Sequence, residues 1–167
     1  MPTVLITGCS SGFGRALVPR YLELGWNVIA TFRSGASKEP GHPFESEQRR
    51  FPNSLHTVPL DITSDVDRAR AATLISDKFE GKLACLINNA GQGTFGAFED
   101  FSPEQIRSQM EVGFFGALFL TRSLAPALRK AQGRVLVVSS LCGYTGMPLS
   151  SLYCASKHAL EGLFESL

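Results

Sequence analysis

An excess of charge of either sign is missing from this chain. Sixteen Lys and Arg oppose fifteen Asp and Glu over 167 residues, leaving a formal net charge of +1. That balance offers no electrostatic footprint for nucleic acid or an anionic membrane surface. Long apolar runs are missing as well. The longest candidate, residues 112–120, falls short of the roughly 18 residues of a membrane span and carries two glycines. No basic stretch precedes the first apolar run, so a secretory signal is not expected. Cys9, Cys85, Cys142 and Cys154 show no C-x-x-C or other ligand spacing, and His42, His56 and His158 are scattered. A metal site is therefore not expected, and a reduced, cytoplasmic interior is the simpler reading. Repeats, low-complexity tracts and domain boundaries are also lacking, so residues 1–167 read as one domain.

What the chain does contain is an alternation of apolar strand-like runs with amphipathic stretches. Strands are read at 3–7, 27–32, 55–59, 83–87 and 134–139. Helices are read at 15–24, 64–80 with Ser64 as N-cap, 102–130, and from about Leu152 onward, with a short helix at 45–50 inside an exposed connection at 33–53. Ser102 and Pro103 stand in the cap and first-turn positions of the long helix, and Pro126 marks a kink or early end. Such alternation predicts an α/β fold of the Rossmann type, a doubly wound parallel sheet in three αβα layers.

Between the first strand and first helix lies Gly8-Cys9-Ser10-Ser11-Gly12-Phe13-Gly14. A glycine turn opening a helix lets the backbone approach a pyrophosphate closely and aims free N–H groups and a positive dipole end at its charge. The same segment also reads as a plain connecting turn. Phe32-Arg33, Asp61-Ile62, Asn88–Gly91 and Ser139-Ser140 follow the ends of later strands, the rim where open parallel sheets bind ligands. Tyr153 and Lys157 are an i,i+4 pair on one helix face, with Ser140 thirteen residues upstream of the tyrosine. A phenol beside an ammonium is suited to proton transfer at a carbonyl or alcohol, because the cation favours the phenolate. Alone, the pair equally fits a surface tyrosine lying over a lysine stem.

Taken together, Thr7-Gly8-x-x-x-Gly12-x-Gly14, Asp61, Asn88-Asn89-Ala90-Gly91, Ser140 and Tyr153-x-x-x-Lys157 resemble the classical short-chain dehydrogenase/reductase family, in order and from end to end. The resemblance implies an enzyme in which Tyr153 is the general acid or base, Ser140 hydrogen-bonds the substrate oxygen and Lys157 holds the nicotinamide ribose. It further implies that Gly8, Ser10, Ser11, Gly12, Phe13 and Gly14 line the pyrophosphate loop. Asp61 and Ile62 would meet the adenine, and Asn88, Ala90 and Gly91 would flank the ribose. A homodimer or homotetramer is expected on the same ground.

Cofactor choice follows from charge. A carboxylate at the end of the second strand would repel a 2′-phosphate, but Phe32 and Arg33 stand there. The planar guanidinium of Arg33 suits that phosphate, with Arg15 and Ser10 assisting, so NADP(H) is expected over NAD(H). The other reading of Arg33 is a solvated loop cation. The apolar stretch 141–152 after Ser140 points to a hydrophobic alcohol or ketone, steroid- or retinoid-like.

Two departures from the family pattern stand out. The usual V-N-x-x-G reads Val112-Gly113-Phe114-Phe115-Gly116, so the asparagine is replaced by glycine, and slower proton exchange rather than lost hydride chemistry is expected. The chain also stops at Leu167 in what reads as an unfinished helix, with Phe164 and Leu167 exposed. The family's last strands and substrate lid are thus expected to be absent. A non-catalytic dinucleotide-binding or interaction fragment is the alternative reading. An epimerase or dehydratase of the extended relatives is the third, disfavoured because their loop runs G-x-x-G-x-x-G.

Overall fold

A computed structural model describes residues 1–33 and 44–167. Residues 34–43, which include His42 and part of the connection read at 33–53, lie outside the described residues. Five strands, β1 (Thr3–Ile6), β2 (Asn27–Phe32), β3 (Leu55–Pro59), β4 (Cys85–Asn88) and β5 (Arg134–Val137), form one parallel sheet in the order β3-β2-β1-β4-β5. β1 and β4 are buried along their whole length, as expected of strands covered on both faces.

Alternation along the strands divides the core into two layers. Val4 and Ile6 of β1, Val28 and Ala30 of β2, and Cys85 and Ile87 of β4 face helix α1 (Gly12–Glu23), where they pack with Val18 and Leu22. Leu5, Ile29 and Leu86 point the other way. They meet Ala71 and Ile75 of α3 (Asp65–Lys78) and Leu120, Leu124 and Leu128 of α5 (Gly116–Ala131). Each fully buried Leu or Ile contributes roughly 1.5–3 kcal/mol, so the sheet is fixed by sandwiching. The doubly wound α/β reading from sequence is what the chain adopts. The short helix α2 (Glu45–Arg50) follows the undescribed segment.

Local signals act where the sequence placed them. The Ser64 hydroxyl accepts from the Asp67 N–H at 3.2 Å and caps α3. Ser102 and Gln105 form a reciprocal capping box, at 3.2 and 2.9 Å, on α4 (Pro103–Met110), with Pro103 in its first turn. The expected single helix over 102–130 differs in one respect. It continues past Pro126 to Ala131, and its interruption comes earlier, as a π-turn at Glu111–Phe115 between α4 and α5. The turn is closely packed at Gly113. A Cβ there would stand 2.7 Å from the Ser156 hydroxyl, so the helix backbone presses directly on the last helix.

That helix is α6 (Ser151–Glu165). Leu167 is exposed as expected, but Phe164 is half-buried. Among the described residues no helix is long and apolar enough to cross a membrane.

Candidate functional site

At the carboxyl rim of the sheet, where the strand order reverses between β1 and β4, a cavity of about 330 Å³ opens. The glycine segment forms one wall, through Gly8, Ser10, Ser11, Gly12 and Phe13. The end of β2 adds Phe32 and Arg33, the turn after β3 adds Asp61 and Ile62, and the segment after β4 adds Asn89, Ala90 and Gly91. Four separate stretches of chain therefore meet where the sequence placed a dinucleotide.

The glycine wall is built for backbone approach. Cys9 is buried and its thiol points down to the Ile6 carbonyl at 3.2 Å, while its N–H bonds the Thr31 carbonyl at 2.7 Å. Burial pushes that thiol up to about 12, so Cys9 is an anchor rather than a nucleophile. A Cβ on Gly14 would run into the Gly8 carbonyl and lie 2.5 Å from the Asn89 side-chain nitrogen. Helix α1 begins within the segment, with no side-chain cap from Ser11 and no acidic residue in its first turn. Its N-terminal N–H groups and dipole are thus suited to an anion at the cavity wall.

Thr7 and Asn89 clamp this wall to the next. The Thr7 hydroxyl accepts from the N–H groups of Asn89 and Ala90, each at 2.9 Å, and the Asn89 amide donates to the Thr7 carbonyl at 2.8 Å. Asn88 does not reach the cavity. As the last residue of β4 it points into the core, where its amide donates to Thr121 at 2.9 Å. The polar side chain at the rim is that of Asn89, so of the two asparagines in the 88–91 segment it is the second that reaches the cavity. Adjacent identical residues at a strand end give no sequence signal for which one faces out.

Asp61 is held by its own turn. Its carboxylate accepts from the Thr63 N–H and hydroxyl at 2.9 and 2.7 Å. Partial burial pushes its pKa up, but the Thr63 bonds together with Arg33 and Arg68 outweigh burial and hold it below the usual value. Arg68, a buried cation not singled out from sequence, donates to the Ile62 carbonyl at 2.5 Å, pairs with Asp65 and lies over the Phe119 ring.

Ser140, Tyr153 and Lys157 lie outside the cavity lining, in the layer beside it. Ser140 caps a 3-10 turn at Leu141–Gly143, its oxygen accepting from the Cys142 N–H at 3.2 Å. Tyr153 and Lys157 sit one turn apart on α6, the ammonium 5.7 Å from the phenol ring centre. Phe95 lies over the same tyrosine, ring centres 5.6 Å apart. The Lys157 ammonium is buried and donates to the Val138 carbonyl at 2.7 Å; burial lowers its pKa, with Glu161 opposing. It also stands 4.0 Å from where a Cβ of Gly91 would be, which puts the lysine at the Gly91 end of the cavity.

The chain matches the short chain dehydrogenase family over residues 2–167. It is 36% identical to human retinol dehydrogenase 8 over 169 residues, covering 99% of this chain and 52% of that protein. To human 17-beta-hydroxysteroid dehydrogenase type 1 it is 37% identical over 170 residues, covering 98% and 50%. A solved short chain dehydrogenase from Burkholderia cenocepacia J2315, in complex with NADP, superposes with a TM-score of 0.80 at 30% identity, covering 99% of this chain and 64% of that one. The chain spans about half the length of these curated relatives. With its glycine wall, its clamped rim and its Tyr-Lys helix in family order, the chain belongs to the short chain dehydrogenase family.

Proposed function

We propose that residues 1–167 act as one dinucleotide-binding unit of an NADP(H)-dependent oxidoreductase that interconverts a secondary alcohol and its carbonyl. The observation that carries this reading is the placement of Lys157, buried one turn from Tyr153 and at the Gly91 end of a cavity whose other wall is a helix N-terminus. Bound NADPH would supply the hydride to the carbonyl carbon. Tyr153 gives its phenolic proton to the carbonyl oxygen in reduction and takes it back in oxidation. Ser140 accepts from the Cys142 N–H, which leaves its own proton to hold the substrate oxygen. Lys157 holds the ribose beside Gly91 and keeps a positive charge near the phenol.

NADP(H) is favoured over NAD(H) because Arg33, exposed at the cavity mouth, takes the place after β2 where a carboxylate would reject a 2′-phosphate. The NADP complex of the Burkholderia cenocepacia relative supports a dinucleotide of this kind. An apolar substrate fits the exposed Leu141, Tyr144, Met147 and Leu149 after Ser140. The printed names of the retinol and hydroxysteroid relatives point the same way. A homodimer or homotetramer belongs to this proposal on the family resemblance, and a cytoplasmic location on the spacing of the four cysteines.

The decisive experiment is NADPH oxidation over aliphatic, aromatic and steroid ketones with Tyr153→Phe as control. Turnover is expected in the parent and lost in the variant; turnover surviving in the variant removes Tyr153 as the acid. Dissociation constants for NADPH and NADH test the cofactor. Arg33→Ala is expected to weaken NADPH at least tenfold and leave NADH unchanged, whereas equal affinities in the parent sink the NADP(H) assignment. A non-catalytic binding module is the second reading, favoured by Gly113, and predicts tight NADPH binding with no turnover on any ketone.

A further inference from the structure

Gln109, in the last turn of α4, is fully buried, an unusual place for a primary amide. Both of its N–H groups and its oxygen are engaged. Oε1 accepts from the Thr94 N–H at 2.9 Å, and Nε2 donates to the Gln92 carbonyl at 3.1 Å and to the Ser156 hydroxyl at 3.2 Å. The Ser156 hydroxyl in turn donates to the Tyr153 carbonyl at 2.8 Å. One amide therefore joins α4, the segment 92–94 that leads to Phe95, and the turn of α6 that carries Tyr153. Room for it comes from Gly113, one turn on, where a Cβ would stand 2.9 Å from Nε2 and 2.7 Å from the Ser156 oxygen.

We infer that Gln109 is a positioning residue: through Ser156 and the 92–94 segment it sets the Tyr153 phenol against the Phe95 ring and the Gly91 end of the nucleotide cavity. The inference rests on the reading of Tyr153 as the proton donor, but its mechanical content does not. A buried amide with every partner in place fixes relative position more tightly than an apolar side chain of similar size, because losing any one bond leaves a buried polar group unsatisfied. The bare backbone at residue 113 has a corollary. An amide supplied from residue 113 and an amide supplied from residue 109 compete for one space.

The test uses NMR on the whole chain, with Gln109→Leu, Gln109→Ala/Gly113→Asn and Gln109→Ala/Gly113→Leu. In the parent, a Phe95–Tyr153 ring NOE and a protected Thr94 amide are expected. Gln109→Leu should lose the NOE and speed Thr94 exchange at least tenfold. Its NADPH dissociation constant should stay within threefold of the parent, while kcat for any ketone turned over by the parent falls at least tenfold. The Asn double variant should recover the NOE, and the Leu double variant should not. Parent-like NOE and exchange in Gln109→Leu, or equal recovery by the two double variants, overturns the inference and assigns Gln109 to core filling. If Gln109→Leu does not fold, the two double variants decide alone. Failure of the enzymatic reading shows separately, as turnover that survives Tyr153→Phe.

Discussion

The ammonium of Lys157 donates to the carbonyl of Val138 at 2.7 Å, tying the catalytic-candidate helix to the chain just beyond β5. Burial lowers the lysine's pKa from its ordinary value of about 10.4, with Glu161 acting the other way. Between the folded and the unfolded pKa the unfolded chain holds more protons, so stability rises with pH through that window. The parent should therefore gain stability relative to Lys157→Met as pH rises towards about 10.4. Urea unfolding at pH 8, 9 and 10 checks this. The same variant should lose NADPH-dependent turnover at every pH.

Asp61 has the opposite dependence. Its folded pKa is depressed, so its contribution is present in full above the unfolded value of about 3.9 and is lost as pH falls through the folded one. Parent and Asp61→Asn should differ most near neutrality and converge in acid, measured by thermal unfolding across pH 2–7. A constant difference would show that the Thr63 bonds do not depend on the charge.

Gly14 and Gly162 separate close approach from helix propensity. A methyl on Gly14 meets the Gly8 carbonyl and Asn89 amide, whereas one on Gly162, exposed in α6, meets nothing within 4 Å. Gly14→Ala should cost about 1–3 kcal/mol by overpacking and abolish NADPH binding. Gly162→Ala should stabilise by about 1 kcal/mol and leave binding alone. Denaturation midpoints and NADPH titration read both.

Arg68→Met keeps the stem over Phe119 but leaves the Ile62 carbonyl without its donor. A cost of about 1–3 kcal/mol is expected, with weaker NADPH binding because Ile62 lines the cavity. Unchanged affinity would confine Arg68 to the core.

Much of this was legible in the sequence because central parallel strands are buried on both faces and read as continuous apolar runs. Asn27–Phe32, an inner strand, begins and ends where the sequence placed it, and so does the partly buried edge strand Leu55–Pro59. The Ser64 and Ser102 caps were legible from local chemistry. Arg68 was not, since a charge on a helix normally reads as solvated, and only the fold lays it over Phe119. Which of Asn88 and Asn89 turns its side chain to the rim was not legible from two identical neighbours. Gln109 was hidden because it faces neither solvent nor the sheet, and its partners Thr94 and Ser156 come from segments far apart in sequence.

The π-turn at Glu111–Phe115 changes the phase of a helix in mid-course. Gln109 and Leu120 are eleven positions apart, and in an unbroken α-helix they would fall within about 20° of each other. They would then share the stripe on which Leu120, Leu124 and Leu128 meet the sheet. The wider turn rotates the earlier segment away from that stripe, so one run of chain addresses the sheet at its far end and α6 at its near end. Removing a single residue from 111–115 would leave Gln109 and Leu120 ten positions apart, about 80° from each other in an unbroken α-helix, so Gln109 would stay off the sheet stripe. The stretch therefore holds one residue more than an α-helix of the same phase would need.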